Sequence, residues 1–132
     1  MKIAVVTDDV KTISQHFGRA SHYQVITVTD GLISGRELRI KPGHSTFAND
    51  PHEPDEQGQG HGFGHHAQGR HARMAEVVAD CEAVLCRGMG AGAYESLRVR
   101  NIRPIVTDIA EIDEAVMAYV EGRIVDHVER LH

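Results

Sequence analysis

The chain has 132 residues, 41% of them hydrophobic, 25% charged and 5% aromatic, with no Trp. That length serves one soluble domain and excludes two domains with separate cores. Fourteen Lys and Arg against nineteen Asp and Glu leave a formal net charge of −5, which argues against a chain built to grip nucleic acid.

In chain order, Lys2 to Thr7 is a short continuous apolar run, the mark of a strand buried on both faces. Tyr23 to Val28 is rich in β-branched residues, and after Thr29-Asp30-Gly31 an extended pattern resumes from Leu32 to Ile40. Asp-Gly between two such runs predicts a hairpin. Ala72, Met74, Ala75, Val77, Val78 and Cys81 fall at helical spacing, and Ala83 to Cys86 reads as a second buried strand. Ala91 to Arg100 reads as a helix with Ala93, Tyr94 and Leu97 inward. Pro104 to Thr107 is a third short apolar strand. Asp108 suits an N-cap for the apolar stripe of Ile112, Ala115, Val116, Tyr119 and Val120, and Gly122 suits its C-cap. The order is β β β, loop, α β α β α. With right-handed crossovers it predicts an α/β fold, a mixed five-stranded sheet in the order 3-2-1-4-5 with helices on both faces.

Residues 42 to 71 break the pattern. These thirty residues hold six His, six Gly and three of the four Pro. Composition alone predicts a flexible loop within a single domain spanning 1–132, because little apolar surface offsets the ordering entropy. His61, His65, His66 and His71 form an H-x3-H-H-x4-H run that suits copper, zinc or nickel. The same run also suits a solvated low-complexity loop. The two cysteines, Cys81 and Cys86, have no metal-site spacing and read as reduced core thiols. Cys86 also closes a strand at a crevice mouth, where a thiolate would suit copper or iron. No stretch approaches the roughly 18 apolar residues of a membrane span. The start of the chain turns acidic too early for a signal peptide, so the expected location is cytoplasmic.

In an open α/β sheet, ligands bind beyond the carboxyl ends of the strands where the strand order reverses. Here that is between the first and fourth strands, where the loop Thr7 to Ala20 meets the loop Cys86 to Gly92. The second loop, with Gly88, Gly90 and Gly92, opens a helix and so favours an anion. Arg19 and Arg87 add positive charge. The same glycines also suit a tight strand-to-helix turn.

Several segments together resemble the dinitrogenase iron–molybdenum cofactor biosynthesis family of the NifX/NafY type. They are Met1 to Asp9, Gln15-His16-Phe17-Gly18-Arg19-Ala20-Ser21-His22-Tyr23, Arg87-Gly88-Met89-Gly90-Ala91-Gly92-Ala93-Tyr94-Glu95-Ser96-Leu97, and Ile112-Asp113-Glu114-Ala115-Val116 through Gly122. The resemblance covers nearly the whole chain outside the His-rich stretch. It implies a ribonuclease-H-like three-layer fold and a non-catalytic carrier or scaffold. The cargo implied is a metal–sulfur cluster of molybdenum with iron, or with copper as in the orange protein. It also implies a cluster donor or acceptor protein as partner. It adds His16 and Gly18 to the expected cofactor-binding set of Arg19, Arg87, Gly88, Gly90 and Gly92. His61, His65, His66, His71 and Cys86 are the expected metal ligands.

Two other readings use the same residues. One is a metal-responsive regulatory or interaction domain acting with a partner ATPase, the histidines being the sensor. The other is a metal-dependent phosphodiesterase, which needs clustered carboxylates. Asp8, Asp9, Asp108 and Glu76 are the available ones, and Asp8 and Asp9 are adjacent, so in an extended chain only one faces a given site.

Overall fold

The computed structural model describes residues 1–42 and 65–131. Five strands, β1 (Lys2–Thr7), β2 (His22–Thr29), β3 (Leu32–Ile40), β4 (Ala83–Cys86) and β5 (Arg103–Val106), form one sheet in the order β3-β2-β1-β4-β5. β1 runs antiparallel to β2 and parallel to β4, and β4 is parallel to β5. The sequence-predicted order holds. The hairpin turns on Asp30 and Gly31, whose φ values of 55° and 79° are the positive pair that a two-residue type I′ turn requires.

Among the described residues, three α-helices cover the sheet: α1 (His65–Glu76), α2 (Ala91–Arg98) and α3 (Ile112–Val120). They lie on both faces. Arg39 of β3 pairs with Asp80, just after α1, while Arg36 pairs with Asp113 of α3. Successive strand residues alternate between faces, so Arg36 and Arg39 point to opposite sides. β1 and β4 are buried on both faces, with Ile3, Ala4, Val5, Val6, Val84 and Leu85 all fully covered. No helix among the described residues is long and apolar enough to cross a membrane.

Two local expectations are corrected. The helix expected from Ala72 to Cys81 begins instead at His65 and ends at Glu76. Ala67, Gln68, Arg70, Ala72, Arg73 and Met74 are good helix formers, and they outweigh Gly69 and the histidines. The chain then reaches β4 through short-range bonds from Val78 N–H to Ala75, Ala79 N–H to Glu76 and Cys81 N–H to Val78. Asp108 does not cap α3. Residues 110–112 instead run against residues 11–13, with Ile13 N–H on Ala110 (2.8 Å) and Ile112 N–H on Lys11 (3.2 Å), and Glu111 becomes the cap. Gly122 does end α3: at φ 75° it lets its own N–H reach Tyr119 and that of Arg123 reach Ala118, the paired bonds of a Schellman end. The tail returns to the sheet, where the Asp126 carboxylate accepts the Val106 N–H (2.9 Å) and the Tyr94 hydroxyl (2.8 Å).

Candidate functional site

The carboxyl edge of the sheet brings together the ends of β1 and β4, the start of β2 and the end of β3. At β1, Thr7 anchors the following loop: its hydroxyl donates to the Thr12 carbonyl (2.7 Å) and accepts the Val10 N–H (2.9 Å). The Asp9 carboxylate accepts N–H groups from Thr12 and Lys11 and the Thr12 hydroxyl, which hold it well below the usual carboxylate range. Val10 is left with φ 68°, a strained conformation for a β-branched residue. The Asp8 carboxylate accepts the Ser21 N–H at 2.9 Å.

The two predicted loops are stitched to each other. Phe17 N–H donates to the Gly88 carbonyl (3.0 Å), and Arg87 N–H donates to the Ser14 carbonyl (3.1 Å). Phe17, Gly88 and Met89 are buried at this seam, while His16, Gly18 and Arg19 stand exposed at its rim. A Cβ on Gly18 would meet nothing within 4 Å, so no close approach requires that glycine. Gly90 is the N-cap of α2 with no side-chain cap, in an extended conformation (φ −78°, ψ 155°). The first turn of α2 therefore opens on the crevice with its N–H groups uncapped by any side chain. Arg87 is half-buried, and its Nε is covered with no hydrogen-bond partner among the described residues.

α1 lies over the same edge. Its Met74 carbonyl accepts the buried Tyr23 hydroxyl (2.9 Å). Its His71 ring lies 3.0 Å from where a Cβ on Gly92 would stand. Of the expected metal ligands, this one is brought to the crevice. His65 and His66 enter the backbone of α1, and His61 lies outside the described residues. Cys86, another of the expected ligands, lies in the core. The residue is fully buried, its Sγ is 3.7 Å from the Ile105 carbonyl, and burial pushes its thiol up to about 12. Its burial against β5 makes it a core group. Cys81 is similarly raised to about 12 by burial.

Lys41 escaped the sequence reading. It is 1% exposed, and its backbone N–H is fixed on the Ser21 carbonyl (3.0 Å). Its Nζ lies 4.5 Å from the centre of the Phe17 ring and 3.8 Å from the Met74 sulfur. The sequence signal was slight: a lysine closing the edge strand, before Pro42, with nothing to mark it as inward.

Among the described residues, no three His, Cys, Asp or Glu side chains are grouped to hold a metal ion. Asp9 and Asp8 are committed to loop backbone, and Asp108 lies 3.6 Å from His127. The carboxylate cluster of a two-metal phosphodiesterase is not assembled by these residues.

The family model described as dinitrogenase iron–molybdenum cofactor matches residues 1–122. The chain belongs to this family. It is 26% identical over 126 residues to the FeMo cofactor biosynthesis protein NifB of Frankia alni, a match covering 93% of this chain and 21% of that protein. The chain thus spans about a fifth of that relative's length. It is 22% identical to an uncharacterized protein of Methanocaldococcus jannaschii, covering 94% of this chain and 89% of the other. The apo form of the orange protein from Desulfovibrio gigas shares the fold, with a TM-score of 0.63 at 17% identity. That match covers 96% of this chain and 92% of that one.

Proposed function

We propose that the chain is a non-catalytic carrier or scaffold for an anionic metal–sulfur cluster, of molybdenum with iron or copper. The cluster is held in the crevice between the loop Ile13–Ala20 and the loop Arg87–Gly92. The observation that carries this reading is the stitched pair of loops opening on the N-terminus of α2. One of those loops brings a covered Arg87 Nε that has no partner among the described residues. Orphan N–H groups and a guanidinium together favour an anion. Membership in the family supports a metal–sulfur cluster as that anion. Arg19 at the rim adds exposed charge, His16 stands beside it, and His71 is the histidine placed to reach cargo from α1. Donor and acceptor proteins of cofactor assembly are the expected partners. Their approach would be over the exposed rim of His16, Gly18 and Arg19.

Anaerobic purification without a tag, followed by metal and sulfide analysis and a visible absorption spectrum, tests the reading directly. Gly90→Val keeps a backbone conformation that valine accepts while adding bulk at the helix N-terminus. That variant and Arg19→Ala should both fold normally and take up less cluster. Equal loading of both variants and the parent would place the cargo elsewhere.

A further inference from the structure

We propose that Lys41 is the internal counter-charge of the cargo, an ammonium built into the floor of the crevice that selects anionic over neutral clusters. The inference rests on the carrier reading and names the charge that the site must receive.

A fully buried lysine is rare unless it is paired, because an uncompensated charge is costly to desolvate. Elsewhere on the sheet, more exposed cations have carboxylate partners: Arg36 pairs with Asp113, and Arg39 and Lys2 pair with Asp80. Lys41 is covered more completely than any of them and has no carboxylate partner among the described residues. Its surroundings are a thioether and two aromatic faces, Phe17 at 4.5 Å and Tyr23 at 5.9 Å. Ring faces offset part of the cost of a buried cation, and they do not replace a counter-ion. The titratable groups acting on Lys41 are Asp8 from the end of β1 and Cys86 from the end of β4. Tyr23 faces it from β2, and Met74 brings no charge from α1. Asp8 is exposed and already holds the Ser21 N–H, and Cys86 stays a neutral thiol. Burial lowers Lys41 to about 8, so the side chain is still mainly protonated at neutral pH.

The position of this charge fits the crevice. Phe17, whose ring lies under the ammonium, is tied through its own N–H to Gly88 of the glycine-rich loop. Lys41 therefore sits one side chain away from the loop that carries Arg87 and the start of α2. A buried positive charge with no carboxylate partner among the described residues is a stability cost that an incoming anion would relieve.

The test compares the parent with Lys41→Met, Lys41→Arg and Gly90→Val, titrated with tetrathiomolybdate under anaerobic conditions. Methionine fills much of the same volume without charge, so Lys41→Met should melt at the parent's temperature or above it. Its uptake should be about ten- to a hundredfold weaker, the range expected for a lost charge-assisted contact. Lys41→Arg keeps the charge and should stay within a few-fold of the parent. If Lys41→Met binds as the parent does while Gly90→Val loses uptake, the counter-charge role is wrong and the crevice stands. If Gly90→Val binds normally, the crevice reading itself fails. Equal loss in Lys41→Met and Lys41→Arg, with both folded, would mean that shape and not charge is required, and would also overturn the proposal.

Discussion

The ring of His71 lies 3.0 Å from the point where a Cβ on Gly92 would stand, so α1 and α2 meet at the crevice through an imidazole and a bare backbone. Alanine is the better helix former by about 1 kcal/mol. Here that gain is opposed by a contact tighter than ordinary van der Waals distance. Gly92→Ala should therefore leave stability within about 1 kcal/mol of the parent while turning the His71 ring aside. Chemical denaturation checks the first half. A changed His71 signal in the NMR spectrum, with weaker cluster uptake, checks the second.

Much of the frame was legible before any coordinates. β1 and β4 have the bounds that their apolar runs predicted, because a strand buried on both faces allows little besides apolar residues. Asp30-Gly31 and Gly122 were legible because each supplies the positive φ its position needs. Features that depend on a partner distant in sequence were not legible. The start of α3 is set by pairing between residues 110–112 and the loop after β1, and no local signal announces that. The burial of Lys41 arises from Phe17, Tyr23 and Met74, which come from three separate elements. In the candidate site, the glycine-rich loop and its helix were readable from spacing, and the core reading of Cys86 agrees with its burial against β5.

Val10 offers a stability test independent of function. It is exposed, so replacing it removes little buried surface, yet it holds φ 68°. A left-handed conformation costs an ordinary residue roughly 1–2 kcal/mol, and asparagine tolerates it better. Val10→Asn should raise unfolding free energy by about 1 kcal/mol. An unchanged or lower melting temperature would show that the loop relaxes without the strain.

Asp80 predicts an acid limb. Hydrogen bonds from Arg39, and then from Lys2, hold its carboxyl well below the usual carboxylate range. A carboxyl lowered on folding contributes stability above its unfolded value of about 3.9 and loses it as pH falls toward the folded value. The contribution is thus complete at pH 5 and above and fades in strong acid. Asp80→Asn should cost at most about 1 kcal/mol at pH 7, since the pair is partly solvated. The gap between parent and variant should narrow from pH 5 to pH 2. A gap that stays constant across this range would assign the loss to packing.

The histidines separate by position. The His71 ring of α1 is seated against Gly92 at the start of α2. His71→Ala alone should weaken cluster uptake, and a double His65→Ala, His66→Ala variant should weaken it less. Imidazole binds metal only when neutral, so the share of binding owed to His71 should fade as pH drops through the ordinary histidine value of about 6.5. Titrating parent and both variants with tetrathiomolybdate plus copper at pH 7.5 and at pH 5.5 tests this. The parent should approach His71→Ala at the lower pH. If the double variant is the weaker binder at pH 7.5, metal contact runs through the start of α1, and His71 serves packing against α2.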